Sequence, residues 1–86
     1  MTMSPAEIRE KVKEIIANVA NLDPSEIADD AKFIDDLQLD SLSLLEIGVD
    51  VAYYYRLAIP EEKLGELRTL PEAVDLVLEY LQSQAA

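Results

Sequence analysis

Apolar residues recur at helical spacing in three separate stretches of the chain, and no alternating run is long enough for a strand. In the first stretch, Ile8, Val12, Ile15, Ile16 and Val19 make one stripe. Ser4-Pro5-Ala6-Glu7 precedes it. Ser4 suits an N-cap, Pro5 the first helical position, and Glu7 the third position of a capping box. The pattern predicts a helix from about Pro5 to Ala20. Asn21-Leu22-Asp23-Pro24-Ser25 ends it, because proline cannot continue a helix and pushes Asp23 toward extended geometry. Pro24 to Ile27 has the length of a single turn.

Residues 28–40 read as a long loop with apolar anchors at Phe33, Ile34, Leu37 and Leu39. Such a loop is uncommon in a small domain unless it is functional or pinned, and the anchors predict pinning. A second helix should open at Asp40 or Ser41 and end near Tyr55 or Arg56. On it, Leu44, Ile47, Val51 and Tyr55 follow the spacing of a core face. Leu42, Leu45 and Val49 form a second stripe beside it. A surface helix needs one apolar face, so the second stripe is either more core or a face for a partner. Leu57-Ala58-Ile59-Pro60 is a short apolar linker. Glu61 to Leu67 predicts a short third helix with Leu64 and Leu67 inward. Thr69 and Glu72 repeat the capping logic before a fourth helix to about Gln82. Ala73, Val74, Val77 and Leu81 face inward there, Leu76, Leu78 and Tyr80 widen that face, and Gln82 to Ala86 should fray. The expected fold is all-α: one domain over residues 1–86, a small up-down bundle of three main helices plus a short third helix.

Composition narrows the chemistry. The 86 residues include no Cys and no His, and carry a net charge of −11 from 18 acidic and 7 basic side chains. Disulfides and thiolate metal sites are excluded. Nucleic acid and anionic membrane surfaces would be repelled, whereas basic protein surfaces would be attracted. No apolar run approaches membrane-spanning length. Met1-Thr2-Met3-Ser4-Pro5 lacks the basic and apolar regions of a secretory signal, so a cytoplasmic protein is expected. Asp29-Asp30 and Asp35-Asp36 lack the spacing and glycine of a calcium loop, so no metal site is expected and solvated loop carboxylates are the better reading.

No Lys or Arg occurs from Phe33 through Tyr55, a stretch that holds Asp35, Asp36, Asp40, Glu46 and Asp50. Ser41 lies in its middle, where acidic loop turns into apolar helix. A hydroxyl there sits beside backbone N–H groups without intrahelical partners, a good place to carry a phosphate ester. With no His or Cys to activate it, and no glycine-rich phosphate loop, Ser41 reads as an attachment point and not as a catalyst.

Phe33, then Asp36-Leu37, then Leu39-Asp40-Ser41-Leu42, together with Glu46, Ile59-Pro60 and the run Leu67, Thr69, Leu70, Ala73, Val74, resembles the acyl carrier proteins over nearly the whole chain. The resemblance implies that Ser41 carries 4′-phosphopantetheine, transferred from coenzyme A by a phosphopantetheinyl transferase. The acyl cargo would ride as a thioester on the arm's terminal thiol, which suits a chain without Cys. Asp40 and Leu42 would flank the attachment, Asp40 capping the second helix and helping the modifying enzyme find the serine. Leu44, Gly48, Val51, Leu64, Leu67 and Ala73 would line a groove for the acyl chain. Gly48, costly within a helix, either widens that groove or permits close helix contact. Asp36, Leu42, Leu45, Glu46, Val49 and Asp50 would dock acyl-transferring and ketosynthase-type enzymes with basic patches, the carrier itself being a monomer.

Four positions depart from the family pattern. Gln38 and Arg56 stand where glycine is common, so the local turn at Gln38 is expected to differ. Tyr53 and Tyr54 replace acidic surface with aromatic surface. These changes point away from general fatty-acid synthesis toward a dedicated lipid or polyketide pathway. An aminoacyl or peptidyl carrier of the same fold and an unmodified helical adaptor, with Ser41 only a cap, are the alternatives.

Overall fold

The computed structural model describes residues 4–84. The leader reading of Met1 to Met3 and the fraying of Ala85 and Ala86 lie outside them. The elements are α1 (Pro5–Ala20), a 3₁₀ turn (Pro24–Glu26), α2 (Ser41–Tyr55), α3 (Glu61–Leu64) and α4 (Leu70–Gln84). The all-α expectation holds, with helix α1 packed against both α2 and α4, and α3 lying on α2.

Helix α1 starts and stops as its sequence dictates. Ser4 Oγ accepts the Glu7 N–H at 3.2 Å, and Asn21 closes the helix in left-handed geometry at φ 59°. The Leu22 N–H then reaches back to the Ala17 carbonyl at 2.9 Å, so the last turn ends in a Schellman-type closure. Ile8, Val12 and Ile16 are fully buried on the inward face, against a core that includes Phe33, Leu70 and Val77.

The long loop is pinned, though not by all four expected anchors. Phe33 and Leu39 are buried and Leu37 is half-buried, but Ile34 is exposed. Residues 33–37 form turns, which point Ile34 away while Phe33 goes inward. Ala31 and Ile27 take up the anchoring instead, each at most 2% exposed. Backbone bonds complete the attachment: the Phe33 N–H donates to the Arg68 carbonyl at 2.8 Å and the Leu70 N–H to the Ala31 carbonyl at 2.9 Å. This short antiparallel bridge, Lys32 opposite Thr69, ties the loop to the start of α4. Asp29 is not merely a solvated carboxylate. It pairs with Lys13 and, at 3.5 Å, with Arg9 of α1, and the Lys13 bond followed by the Arg9 charge holds its carboxyl below the usual carboxylate range.

Two boundaries differ from expectation. Helix α3 ends at Leu64, not Leu67: the Gly65 N–H closes on the Glu61 carbonyl at 2.9 Å, after which the Glu66 and Leu67 amides make only tight turns back to Lys63 and Leu64. Helix α4 continues to Gln84, two residues past its predicted end. Its start is as expected: Thr69 Oγ1 accepts the Glu72 N–H at 3.3 Å, and the Glu72 carboxylate accepts the Arg68 N–H at 3.2 Å.

Candidate functional site

The approach to Ser41 is a folded clip. The Lys32 N–H donates to the Asp36 carboxylate at 2.9 Å. The Gln38 N–H donates to the Ile34 carbonyl and the Leu39 N–H to the Phe33 carbonyl, both at 3.0 Å. Gln38 itself takes φ 56°. The turn therefore keeps the left-handed backbone that glycine adopts most readily, contrary to the expectation that it would differ. Leu39 drops into the core behind it, and Asp40 enters α2 in extended geometry, φ −91° and ψ 175°.

Asp40 caps α2, as expected. Its Oδ1 accepts the Ser43 N–H at 2.8 Å, while its carbonyl accepts the Leu44 N–H at 3.0 Å. Its carboxyl is held below its ordinary value, first by the Ser43 N–H and then by the Ser43 side chain. Ser41 is the first helical residue and its side chain is exposed. Its N–H has no intrahelical acceptor, and the positive end of the helix dipole lies there. The arrangement presents a hydroxyl to solvent where an anion is tolerated.

Behind this end, the six residues predicted to line a groove come together. Leu44, Gly48, Val51, Leu64, Leu67 and Ala73 all border one apolar cleft between α2, α3 and α4, with Phe33, Ile47, Ile59, Leu76 and Val77 completing its wall. The cleft is nearly shut, with about 10 Å³ of room, the threshold for a single water. An acyl chain can enter only if the walls part. Gly48 resolves its two alternatives toward close contact: a Cβ there would lie 2.9 Å from the Leu64 Cβ.

The outward face of α2 divides the predicted docking residues. Leu42 is 74% and Val49 45% exposed, and Asp36, Glu46 and Asp50 are exposed. Leu45 is not free: it is half-buried and packed against the core, because the helix turns it toward the side of Leu44 and Gly48. Tyr53 replaces it in the exposed stripe, at 85%, since Leu42, Glu46, Val49 and Tyr53 advance by four, three and four residues. Tyr54 is held: the Lys11 ammonium lies 4.6 Å from its ring centroid, and its ring meets that of Tyr55 edge-on at 4.9 Å. Among the described residues, the buried Tyr55 hydroxyl has no hydrogen-bond partner. Its pKa is pushed up to about 12, first by burial and then by Tyr54 and Glu7.

Similarity to known proteins decides what this architecture belongs to. The family described as "Phosphopantetheine attachment site" matches residues 10–77. The chain is an acyl carrier protein family member. An acyl carrier protein of Rubrobacter xylanophilus is 37% identical over 78 residues, covering 91% of this chain and 96% of that one. The meromycolate extension acyl carrier protein of Mycobacterium leprae is 40% identical over 77 residues, covering 90% of this chain and 67% of that one. Its Mycobacterium tuberculosis counterpart is 42% identical over 74 residues, and this chain spans only 64% of its length. The NMR structure of the HMG-ACPI domain from the CurA module of Lyngbya majuscula superposes with a TM-score of 0.81 at 32% identity, covering 100% of this chain and 91% of that one. Members of this family are carriers, not enzymes, and bear covalently attached 4′-phosphopantetheine.

Proposed function

We propose that Ser41 is the attachment point of the 4′-phosphopantetheine arm and that the chain ferries acyl intermediates in a lipid or polyketide pathway. The observation that carries this reading is the exposed Ser41 hydroxyl at the first position of α2, capped by Asp40 and backed by the apolar cleft. The donor set fits the group. The phosphodiester is an anion, and the α2 terminus offers N–H groups and a positive dipole end to it. When bound, the arm supplies a terminal thiol on which an acyl group is held as a thioester. The chain's own part is to fix the attachment point, keep the helix start rigid through the Asp40 cap, and offer apolar walls to the cargo.

Partners follow from the surface. The base-free acidic stretch from Phe33 to Tyr55 favours enzymes with basic docking patches, first a phosphopantetheinyl transferase and then acyl-transferring enzymes of ketosynthase type. Leu42 and Val49 add apolar contact on the same face. A monomeric, cytoplasmic single domain agrees with this role. The matched relatives are named as acyl carriers, which favours acyl over aminoacyl cargo. The test is intact mass after incubation with coenzyme A and a permissive phosphopantetheinyl transferase. The expected result is one added phosphopantetheine in the wild-type chain and none in Ser41→Ala. An unchanged wild-type mass, with a known carrier modified in parallel, would falsify the reading.

A further inference from the structure

The distal turn of α2 carries an exposed carboxylate and an exposed ring, one helical turn apart, with neither engaged. Asp50 and Tyr53 are i and i+3 neighbours, roughly 5–6 Å apart at Cβ, and both border one open hollow of about 620 Å³. Tyr53 is 85% exposed. Among the described residues, neither side chain makes a hydrogen bond, ion pair or ring contact, unlike Tyr54, which Lys11 covers. Arg56 borders the same hollow and already has an interaction of its own.

The group that satisfies both is planar and cationic. A guanidinium pairs with a carboxylate through two parallel N–H bonds and stacks on an aromatic face, whereas an ammonium is a point charge that does only part of this. From Phe33 through Tyr55 the chain supplies no such cation. Tyr53 lies about 18 Å along the helix from Ser41, at 1.5 Å per residue. A side chain seated there therefore belongs to a surface already docked along Leu42, Glu46 and Val49.

We propose that Asp50 and Tyr53 together form a receptor for an arginine of the acyl-transferring enzyme, making the distal turn of α2 the end of the docking surface that selects partners. This rests on Ser41 being the attachment point. The test uses the whole chain, modified and acyl-loaded, with the ketosynthases of its source organism as acceptors, and measures kcat and KM for acyl transfer. With the ketosynthase of highest kcat/KM, Tyr53→Ala and Asp50→Asn each raise KM at least tenfold while kcat stays within twofold, and the double variant loses much less than the product of the two. Tyr53→Phe restores transfer, because the ring face is retained. Circular dichroism of each variant matches wild type, since both residues are on the surface. Transfer from Tyr53→Ala within twofold of wild type overturns the receptor while leaving the carrier reading intact. So do independent, multiplying losses from the two sites. A wild-type chain that takes up no phosphopantetheine overturns both.

Discussion

Gly48→Ala sets helix propensity against packing, and the structure says packing wins. Replacing an interior glycine by alanine gains about 1 kcal/mol of intrinsic helix propensity. At Gly48, however, the new Cβ would lie 2.9 Å from the Leu64 Cβ, 3.0 Å from its Cδ2 and 3.2 Å from its Cγ. Rotating the Leu64 side chain relieves the last two contacts. It does not relieve the first, because a Cβ moves only with its backbone. Helix α3 must therefore shift outward, at an overpacking cost of about 2 kcal/mol. The net expectation is a loss of ~1 kcal/mol. Urea unfolding followed by circular dichroism should show the midpoint falling by roughly 1 M at a slope of about 1 kcal/mol/M. Amide exchange should accelerate at Leu64 and Gly65, whose N–H groups close α3 on Pro60 and Glu61. Leu64→Ala in the same background should not rescue the loss, since alanine keeps the Cβ. A rise in the midpoint, which propensity alone predicts, would show that α3 does not press on Gly48 and refute the reasoning.

Three further outcomes are expected. Gln38→Gly should raise the thermal midpoint, because glycine relieves a left-handed φ of 56° worth about 1–2 kcal/mol against a smaller unfolded-state entropy cost of about 0.4–1 kcal/mol; an unchanged or lowered midpoint would contradict it. Asp40→Asn should keep the cap at neutral pH, since asparagine caps as well as aspartate, while flattening the acid limb of stability. The sign follows from the depressed Asp40 pKa: its contribution is present above the unfolded value of 3.8 and is lost as pH falls through the lower folded value. Thermal melts from about pH 5 downward read this, and parallel acid limbs for the two proteins would count against it. Tyr55→Phe should be neutral or stabilising by up to about 1 kcal/mol, because it removes a buried hydroxyl that has no partner among the described residues. With its pKa raised to about 12, Tyr55 also makes wild type lose stability as pH rises from 10 toward 12, a loss that Tyr55→Phe should reduce in alkaline melts.

What was legible in the sequence follows from what local chemistry decides. Ser4 and Thr69 announced their helices because a capping hydroxyl and a proline act within one turn. The six groove residues were legible as a set through the likeness to acyl carrier proteins; periodicity alone marks Leu44, Val51, Leu64, Leu67 and Ala73 as inward-facing without saying that they share one cleft with Gly48. Ile34 and Leu45 were misplaced where a single-residue register matters. Ile34 adjoins Phe33 in a run of turns, and Leu45 stands at the boundary between two stripes, so composition cannot say which way either points. The end of α3 was misread because Gly65 closes it by a backbone bond that leaves no apolar signature. The Lys32–Thr69 bridge was invisible for the same reason, being made by main chain between residues far apart in sequence.

A different signal went unused. Each left-handed residue, Asn21, Gln38 and Arg56, is followed by a leucine: Leu22, Leu39 and Leu57. In each case the leucine's N–H reaches back five or six residues to a carbonyl, of Ala17, Phe33 and Ala52 respectively. Two of the three leucines are buried. A polar residue that tolerates left-handed backbone, then a leucine that folds back, is the sequence form of this closure. It accounts for how the chain places Ser41. The closure at Gln38-Leu39 turns an acidic loop directly into the N-terminus of α2, and the closure at Arg56-Leu57 ends α2 where Tyr53 and Asp50 are left facing solvent. Ser41, the proposed attachment point, and the proposed arginine receptor are thus set at opposite ends of one helix. Their separation is fixed by the number of residues between two leucine-backed turns, not by any contact between the sites themselves.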